Sequence, residues 1–218
     1  MLGEEIVAAL TALASAESPL EVERHRRAAI RVVGTDVDGL HALVEALADR
    51  SKQVWELERL ATEDPLTGLA NRRAFRQALV RELARRRRTR GPAVILLDLD
   101  GLKEINDRFG HAAGDEAIRL AAQACVASVR AGDLPARLGG DELALLLPDT
   151  DIDGAWVVAD RVRGALEAST VCGVPLKVSL GVAVAGPDGD DEGSVLARAD
   201  ARLYEDKRDR KSGLRLVA

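Results

Sequence analysis

The period of the hydrophobic positions changes near residue 60. Before it, apolar residues recur at helical spacing with almost no strand signal. Glu4 to Ala16 is one Ala/Leu-rich segment. Ser18-Pro19 offers an N-cap followed by proline at the first helical position, which predicts a second helix to Val33. Beyond Gly34 and Gly39, Leu40, Leu43, Leu47, Val54, Leu57 and Ala61 recur at spacings of three, four or seven, with Arg50 at the skipped position. This resembles a short coiled-coil stalk that pairs with a second chain; the alternative is a helix packed on its own domain.

After residue 62 the pattern alternates between strand and helix. Pro65 and Gly68 break the stalk, and Asn71 is a cap for a helix from Arg72 to about Arg88. Ala93 to Leu97 is a near-continuous apolar run, read as a central strand buried on both faces. It ends in Asp98-Leu99-Asp100, and strand alternation puts the two acids on one side. A short helical turn with Lys103, Asn106 and Asp107 follows. The loop Phe109 to Asp115 then opens a helix from Glu116 to Arg130. Leu134 to Leu138 and Leu143 to Leu147 form a hairpin around Gly139-Gly140, both residues tolerating positive φ. Ile152 to Ala168 is a helix. Val178 to Val184 is a strand, preceded by an edge strand near Val171 to Leu176. The loop Gly186 to Gly193 leads to a last helix, Ser194 to about Lys207, and Leu214 to Val217 reads as a final edge strand. The class is α/β (α+β), a sheet with helices packed on it, behind an all-helical segment. The organisation is a helical region, 1–61, with the stalk at 40–61, and a second domain, 62–218.

Composition narrows the picture. The chain has 218 residues, 47% hydrophobic and 31% charged, enough for one ordinary domain and an appendage. Aromatics are only 2%, so Leu, Val and Ala must build the core. No apolar run reaches the length of a membrane span. Met1 to Leu20 lacks a basic n-region and carries Glu4 and Glu5, unlike a secretory signal. Cys125 and Cys172 are isolated and read as small buried hydrophobes in a reducing, cytoplasmic compartment. A net charge of -5 argues against nucleic acid or a membrane surface as partner.

The chemistry concentrates on acids at strand ends. Asp98 closes the central run and Asp141 lies in the hairpin turn, so the two carboxylates converge if their strands are neighbours. Two carboxylates with substrate phosphates are a usual site for Mg²⁺. There is no GxxxxGK[ST] loop and no Ser/His/Asp or Cys/His set. Lys103, Lys207 and Lys211 are the basic residues available to a triphosphate. His111 has no second His or Cys at ligand spacing, which favours a hydrogen-bonding or structural role.

The motifs taken together resemble the GGDEF family of diguanylate cyclases. They are Asp64-Pro65-Leu66-Thr67-Gly68-Leu69-Ala70-Asn71-Arg72-Arg73, then Asp98 to His111 with Gly114-Asp115, then Arg137-Leu138-Gly139-Gly140-Asp141-Glu142-Leu143. Val178 to Ala183 and Ala199-Asp200-Ala201-Arg202-Leu203-Tyr204 complete the set, in order, over about residues 62 to 218. The resemblance implies a mostly antiparallel sheet flanked by helices, similar to the palm of polymerases and nucleotidyl cyclases. It also implies condensation of two GTP into cyclic di-GMP and two pyrophosphates by a homodimer.

By position, the resemblance gives Asp98, Asp141 and the Leu99 carbonyl to Mg²⁺, with Mn²⁺ as a substitute. It gives Asn106 and Asp115 to the guanine edge and sets His111 near the nucleotide. The backbone amides of Gly101 and Leu102 meet phosphate, Lys103 offsets transition-state charge, and Lys207 and Lys211 approach the terminal phosphates. Asp141 is the candidate base for the 3′-hydroxyl, and Glu142 joins it as a catalytic residue by a less defined route. Three positions depart from the family pattern: Leu143 for Phe, Gly101-Leu102 for a bulkier aromatic-containing pair, and Lys211 for Arg, which keeps charge but loses bidentate geometry. None removes a metal ligand or a guanine reader. Five residues separate Arg130-Ala131-Gly132-Asp133 from Gly139, where the family has its RxxD product-inhibition site. The alternative function is a weak GGDEF domain acting as a receptor for GTP or cyclic di-GMP.

Overall fold

The computed structural model describes residues 2–33, 38–85, 91–186 and 190–211. They form two compact units, Met1–Ala61 and Thr62–Ala218. In the first unit, α1 (Leu2–Ala14), α2 (Pro19–Val33) and α3 (Asp38–Thr62) share a core of Leu13, Val22, Ala29, Val44 and Ala48. Ser18 caps α2 as expected, its hydroxyl accepting from Glu21 N at 3.2 Å. Arg26 ties α2 to α3 by bonding both Glu23 and Glu45 at 2.7 Å. The apolar stripe expected for the stalk is not the face that α3 turns to its own unit. On α3 the buried positions are Val44 and Ala48, one step from the expected seam, while Leu43, Val54 and Leu57 are exposed. The first half of α3 thus spends its apolar face on its own unit, and Val54, Leu57 and Leu60 stay open on the second half.

The second unit is built on β2 (Ala93–Asp100), buried at seven of its eight positions. The five-stranded sheet has the order β1 (Ala70–Asn71), β3 (Leu134–Gly139), β4 (Glu142–Leu147), β2, β7 (Lys177–Val184). Every pairing is antiparallel except β1 with β3. Strand alternation sorts β2 into two cores. Ile95, Leu97 and Leu99 face α6 (His111–Ser128) and α7 (Ile152–Glu167). Val94 and Leu96 face α4 (Arg72–Arg85) and α8 (Glu192–Lys211). This two-sided cover explains the unbroken apolar run, and the pairings make the sheet mostly antiparallel and helix-flanked, as the family resemblance implies.

On β7, Val178, Leu180 and Val182 enter the first core, leaving Ser179, Gly181 and Ala183 toward α8. That row of small residues lets α8 lie directly on the strand. An ideal Cβ at Gly181 would overlap Ala199 O and Leu203 N and come within 2.8 Å of Leu203 Cβ.

Several boundaries differ from expectation. Phe109 to Asp115 is not a loop: α5 (Leu102–Phe109) is a full helix, Gly110 turns the chain at φ 87°, and α6 starts at His111. Two glycines and a histidine read as a loop, but a single positive-φ glycine suffices for the corner. The segment before β7 is a two-stranded hairpin, β5 (Thr170–Val171) and β6 (Val174–Pro175), rather than one edge strand. Its turn exposes Cys172, at φ 50°, so only Cys125 is the buried thiol expected. Burial pushes the Cys125 thiol up to about 12. Helix α4 is described to Arg85, so the expected end at Arg88 lies outside the described residues, as does the strand expected at Leu214 to Val217.

Candidate active site

The signature turn is anchored from two sides. Leu138 is an extra residue in β3, a bulge between Arg137 and Gly139, and it shifts the turn by one. Gly139 therefore pairs with Glu142, and the two-residue turn is Gly140-Asp141 rather than Gly139-Gly140. Gly139 (φ 141°) and Gly140 (φ 55°) supply the positive angles. Arg137 donates to Gly140 O through Nε and Nη2, at 3.1 and 2.9 Å. Its Nη1 donates to both oxygens of Asp64 at 3.1 Å. Asp64 also accepts from Thr67 N and Thr67 Oγ1. Across the turn, Arg72 donates to Leu138 O at 2.7 Å and to Glu142 at 3.1 Å. Asn71 caps α4, accepting from Ala74 N at 3.0 Å.

This anchorage makes a prediction about acid stability. Burial opposes the Asp64 charge, but the Thr67 and Arg137 hydrogen bonds outweigh it and hold the carboxyl below its ordinary value of 3.8. A depressed carboxyl stabilises the fold above its unfolded value, and that contribution disappears as pH falls through the lower folded value. Asp64→Ala should cost about 2 kcal/mol at neutral pH by unpairing a half-buried arginine and a turn. The loss should begin to shrink below about pH 4, where the carboxyl protonates in the unfolded chain, and vanish as pH falls through the lower folded value. Chemical denaturation at several pH values checks this; a loss independent of pH would remove the ion pair from the explanation.

The anchored turn sets Asp141 beside the central strand. β2 and β4 are neighbours, Asp98 stands opposite Glu142, and Leu99 N donates to Asp141 O at 3.2 Å. Asp98 is 9% exposed, and Lys207 of α8 reaches it at 2.7 Å. Asp100 lies on the same face, held by the buried Ser179 hydroxyl at 2.8 Å. Burial pushes the Asp98 carboxyl up; the Lys207 hydrogen bond opposes this, and the charges of Asp141 and Asp100 add to it. Burial works against the Lys207 ammonium, yet its bond to Asp98 raises its pKa. One ammonium against three carboxylates leaves excess negative charge. The donors are hard oxygens, which suits a divalent cation such as Mg²⁺. Among the described residues no cluster of three or more His, Cys, Asp or Glu could hold a metal by itself. Two carboxylates and a backbone carbonyl fit a site that phosphate oxygens and water complete.

Gly101 (φ 77°) ends β2 and starts α5, which carries buried Leu102 and exposed Lys103 beside the acids in sequence. The packing of α5 on α6 brings the Asn106 carboxamide against Gly114, next to Asp115. Asn106 Oδ1 is buried with no hydrogen-bond partner, a loss of about 1–3 kcal/mol for a polar atom left dry. His111 is exposed at the start of α6. Lys211 ends α8, and its side chain lies outside the described residues. Arg130 and Asp133 are not in this group. They bond each other at 3.1 Å, and Arg130 also donates to Pro148 O at 2.7 Å. Pro148 follows the other end of β4 from Asp141, a strand about 20 Å long. Arg130 therefore lies just past the end of α6 and is engaged at the base of the hairpin. Sequence spacing missed the parts played by Arg72, Arg137 and Ser179. All three sit inside the family motifs, Ser179 in Val178 to Ala183, which was the available signal.

The model of the family described as "Diguanylate cyclase, GGDEF domain" matches residues 61–213. Diguanylate cyclase DgcP of Pseudomonas aeruginosa is 39% identical over 152 residues, covering 68% of this chain and 23% of that protein. Response regulator PleD of Caulobacter vibrioides is 38% identical over 156 residues, covering 68% and 34%. The chain thus spans about a quarter to a third of the length of these curated relatives. Among solved structures, the coiled coil and GGDEF domain of DgcB from Caulobacter crescentus, in complex with c-di-GMP, aligns with TM-score 0.69 at 32% identity. That alignment covers 77% of this chain and 90% of that one. The SiaD diguanylate cyclase of Pseudomonas aeruginosa aligns with TM-score 0.65 at 30% identity, covering 87% and 74%. The bulged hairpin, the paired strand-end acids and the matched sequence agree, and the chain belongs to the GGDEF diguanylate cyclase family.

Proposed function

We propose that this chain condenses two GTP into cyclic di-GMP and two pyrophosphates. The observation that carries the proposal is the pairing of β2 with β4, which sets Asp98 and Asp141 side by side with excess negative charge. Asp98, Asp141 and the Leu99 carbonyl hold Mg²⁺ or Mn²⁺, which supplies positive charge at the reacting phosphate and lowers the pKa of a nearby hydroxyl. Asp141 accepts the proton of the attacking 3′-hydroxyl. That oxygen bonds the α-phosphorus of the other GTP, the α–β bridging bond breaks, and pyrophosphate leaves; the reverse attack closes the ring. Gly101 and Leu102 amides bind phosphate, Lys103 offsets its developing charge, and Lys207 turns from Asp98 to the terminal phosphates beside Lys211. Glu142, held by Arg72, keeps the second signature acid at the edge of the site. Asn106 and Asp115 read guanine, which offers donors at N1 and N2, with His111 alongside.

One domain binds one GTP, so two copies must face each other. The exposed Val54, Leu57 and Leu60 of α3 suit a pairing stalk that raises their effective concentration. Arg130 and Asp133 form the product-inhibition site, where arginine meets guanine O6 and N7 or phosphate, and aspartate accepts from N1 and N2. No described helix is long and apolar enough to cross a membrane.

Incubation with GTP and Mg²⁺, read by mass spectrometry, tests the proposal. One cyclic di-GMP should appear per two pyrophosphates, at a rate that rises more steeply than linearly with protein concentration. Progress curves should flatten before GTP is exhausted, and Arg130→Ala should straighten them. Nucleotide binding without product would make the chain a receptor instead.

A further inference from the structure

Gly114 is the fourth residue of α6 and is buried. An ideal Cβ at Gly114 would overlap Asn106 Oδ1, lying 2.8 Å from its Cγ and 3.2 Å from its Nδ2. Gly114 is not among the glycines at positive φ, so its backbone does not require glycine. A glycine inside a helix is unfavourable relative to alanine, so the missing methyl calls for another reason. The reason available is room for the Asn106 carboxamide. That amide also carries a buried oxygen with no donor, one of two buried side-chain polar atoms without a partner among the described residues, the other being Arg163 Nε. The amide oxygen itself fills the space that the missing methyl leaves, unpaired there, and it can serve an incoming N–H group once the carboxamide turns outward.

We propose that Gly114 is a positioning residue for base recognition. It lets the Asn106 carboxamide lie and turn beside Asp115, with an acceptor held for the N–H edge of guanine. The inference rests on the guanine reading above and names what sets its specificity. Guanine presents N1–H and N2–H together; hypoxanthine lacks the N2 amino group. The atoms that a new methyl would meet are the end of a side chain rather than backbone. The methyl therefore displaces the amide and leaves the helix in place, and the cost falls on recognition rather than on folding.

The test compares Gly114→Ala, Asn106→Ala and the double variant, with GTP and ITP as substrates and melting measured in parallel. Gly114→Ala should raise KM for GTP about tenfold and leave kcat within about twofold, as expected for lost binding rather than lost chemistry. It should narrow the GTP-to-ITP preference by about tenfold. The double variant should be no worse than Asn106→Ala, because without the amide the methyl has room. If Asn106→Ala raises KM while Gly114→Ala changes neither KM nor base preference, the inference fails and the guanine reading stands. If Asn106→Ala itself changes neither, the guanine reading fails and takes the inference with it. Should Gly114→Ala fold poorly, a double variant that folds and binds like Asn106→Ala supports the inference, and one that stays unstable overturns it.

Discussion

Asp141→Ala should abolish cyclic di-GMP formation, by on the order of a thousandfold or more, and Asp98→Ala should do the same. Each change would leave the proposed cation site with a single carboxylate, and Asp141→Ala would also remove the proposed acceptor for the hydroxyl proton. The two variants differ in their effect on the fold. Asp141 is a partly exposed turn residue, and the turn is held by Arg137 and Arg72 rather than by its carboxylate, so melting should hardly change. Asp98 is buried against Lys207 at 2.7 Å, so its removal strands an ammonium while relieving a buried charge. A small net change of either sign is expected, and Asp98→Asn keeps the volume as a control. Near-normal turnover of folded Asp141→Ala with Mg²⁺ would refute the site.

Gly181→Ala should destabilise the second unit by about 3 kcal/mol or more, near the upper range for overpacking. The added methyl meets Ala199 O and Leu203 N, main-chain atoms that no rotamer change can move. Helix α8 would have to lift, and its Val195, Ala199 and Leu203 are buried in the second core. Lifting also breaks the 2.8 Å bond from Leu180 N to Asp206 and carries Lys207 away from Asp98. Activity should therefore fall together with melting temperature. Gly164→Ala is the control: nothing lies within 4 Å of its Cβ position, and alanine in the interior of α7 should be neutral or stabilising. Equal melting of the Gly181 and Gly164 variants would show that α8 does not lie on Gly181 in solution.

The central strand was legible because Ala93 to Leu97 is apolar without interruption, and two-sided burial demands that pattern. The acids were legible as strand-end residues, and the motif spacing linked them. What spacing could not show is which side chains meet across long stretches of chain. Asp98 meets Lys207 across 109 positions, and Asp64 meets Arg137 across 73. The bulge at Leu138 was hidden because Leu138 looks like any strand residue, and it moved the turn by one. On α3, apolar residues at similar spacing lie on two adjacent stripes, and spacing alone could not show which one its own unit buries. Packing against α1 and α2 chose Val44 and Ala48. Cys172 was assigned by residue type, whereas its place in a two-residue turn decides its exposure.

The strand order also bears on the order of folding. Within the five-stranded sheet, β3 and β4 pair across a two-residue turn, while β2 must wait for β4 and β7 from much later in the chain. Loop closure disfavours distant pairings, so the hairpin carrying Asp141 can form early and Asp98 is brought to it afterwards. Lys207, 109 positions from Asp98, is expected to join last with α8. Folding should then be slow for the size of the unit, in the millisecond-to-second range typical of distant strand pairing. Recovery of GTP turnover should lag behind the first recovery of strand signal, since the site is complete only when the most separated segments have met.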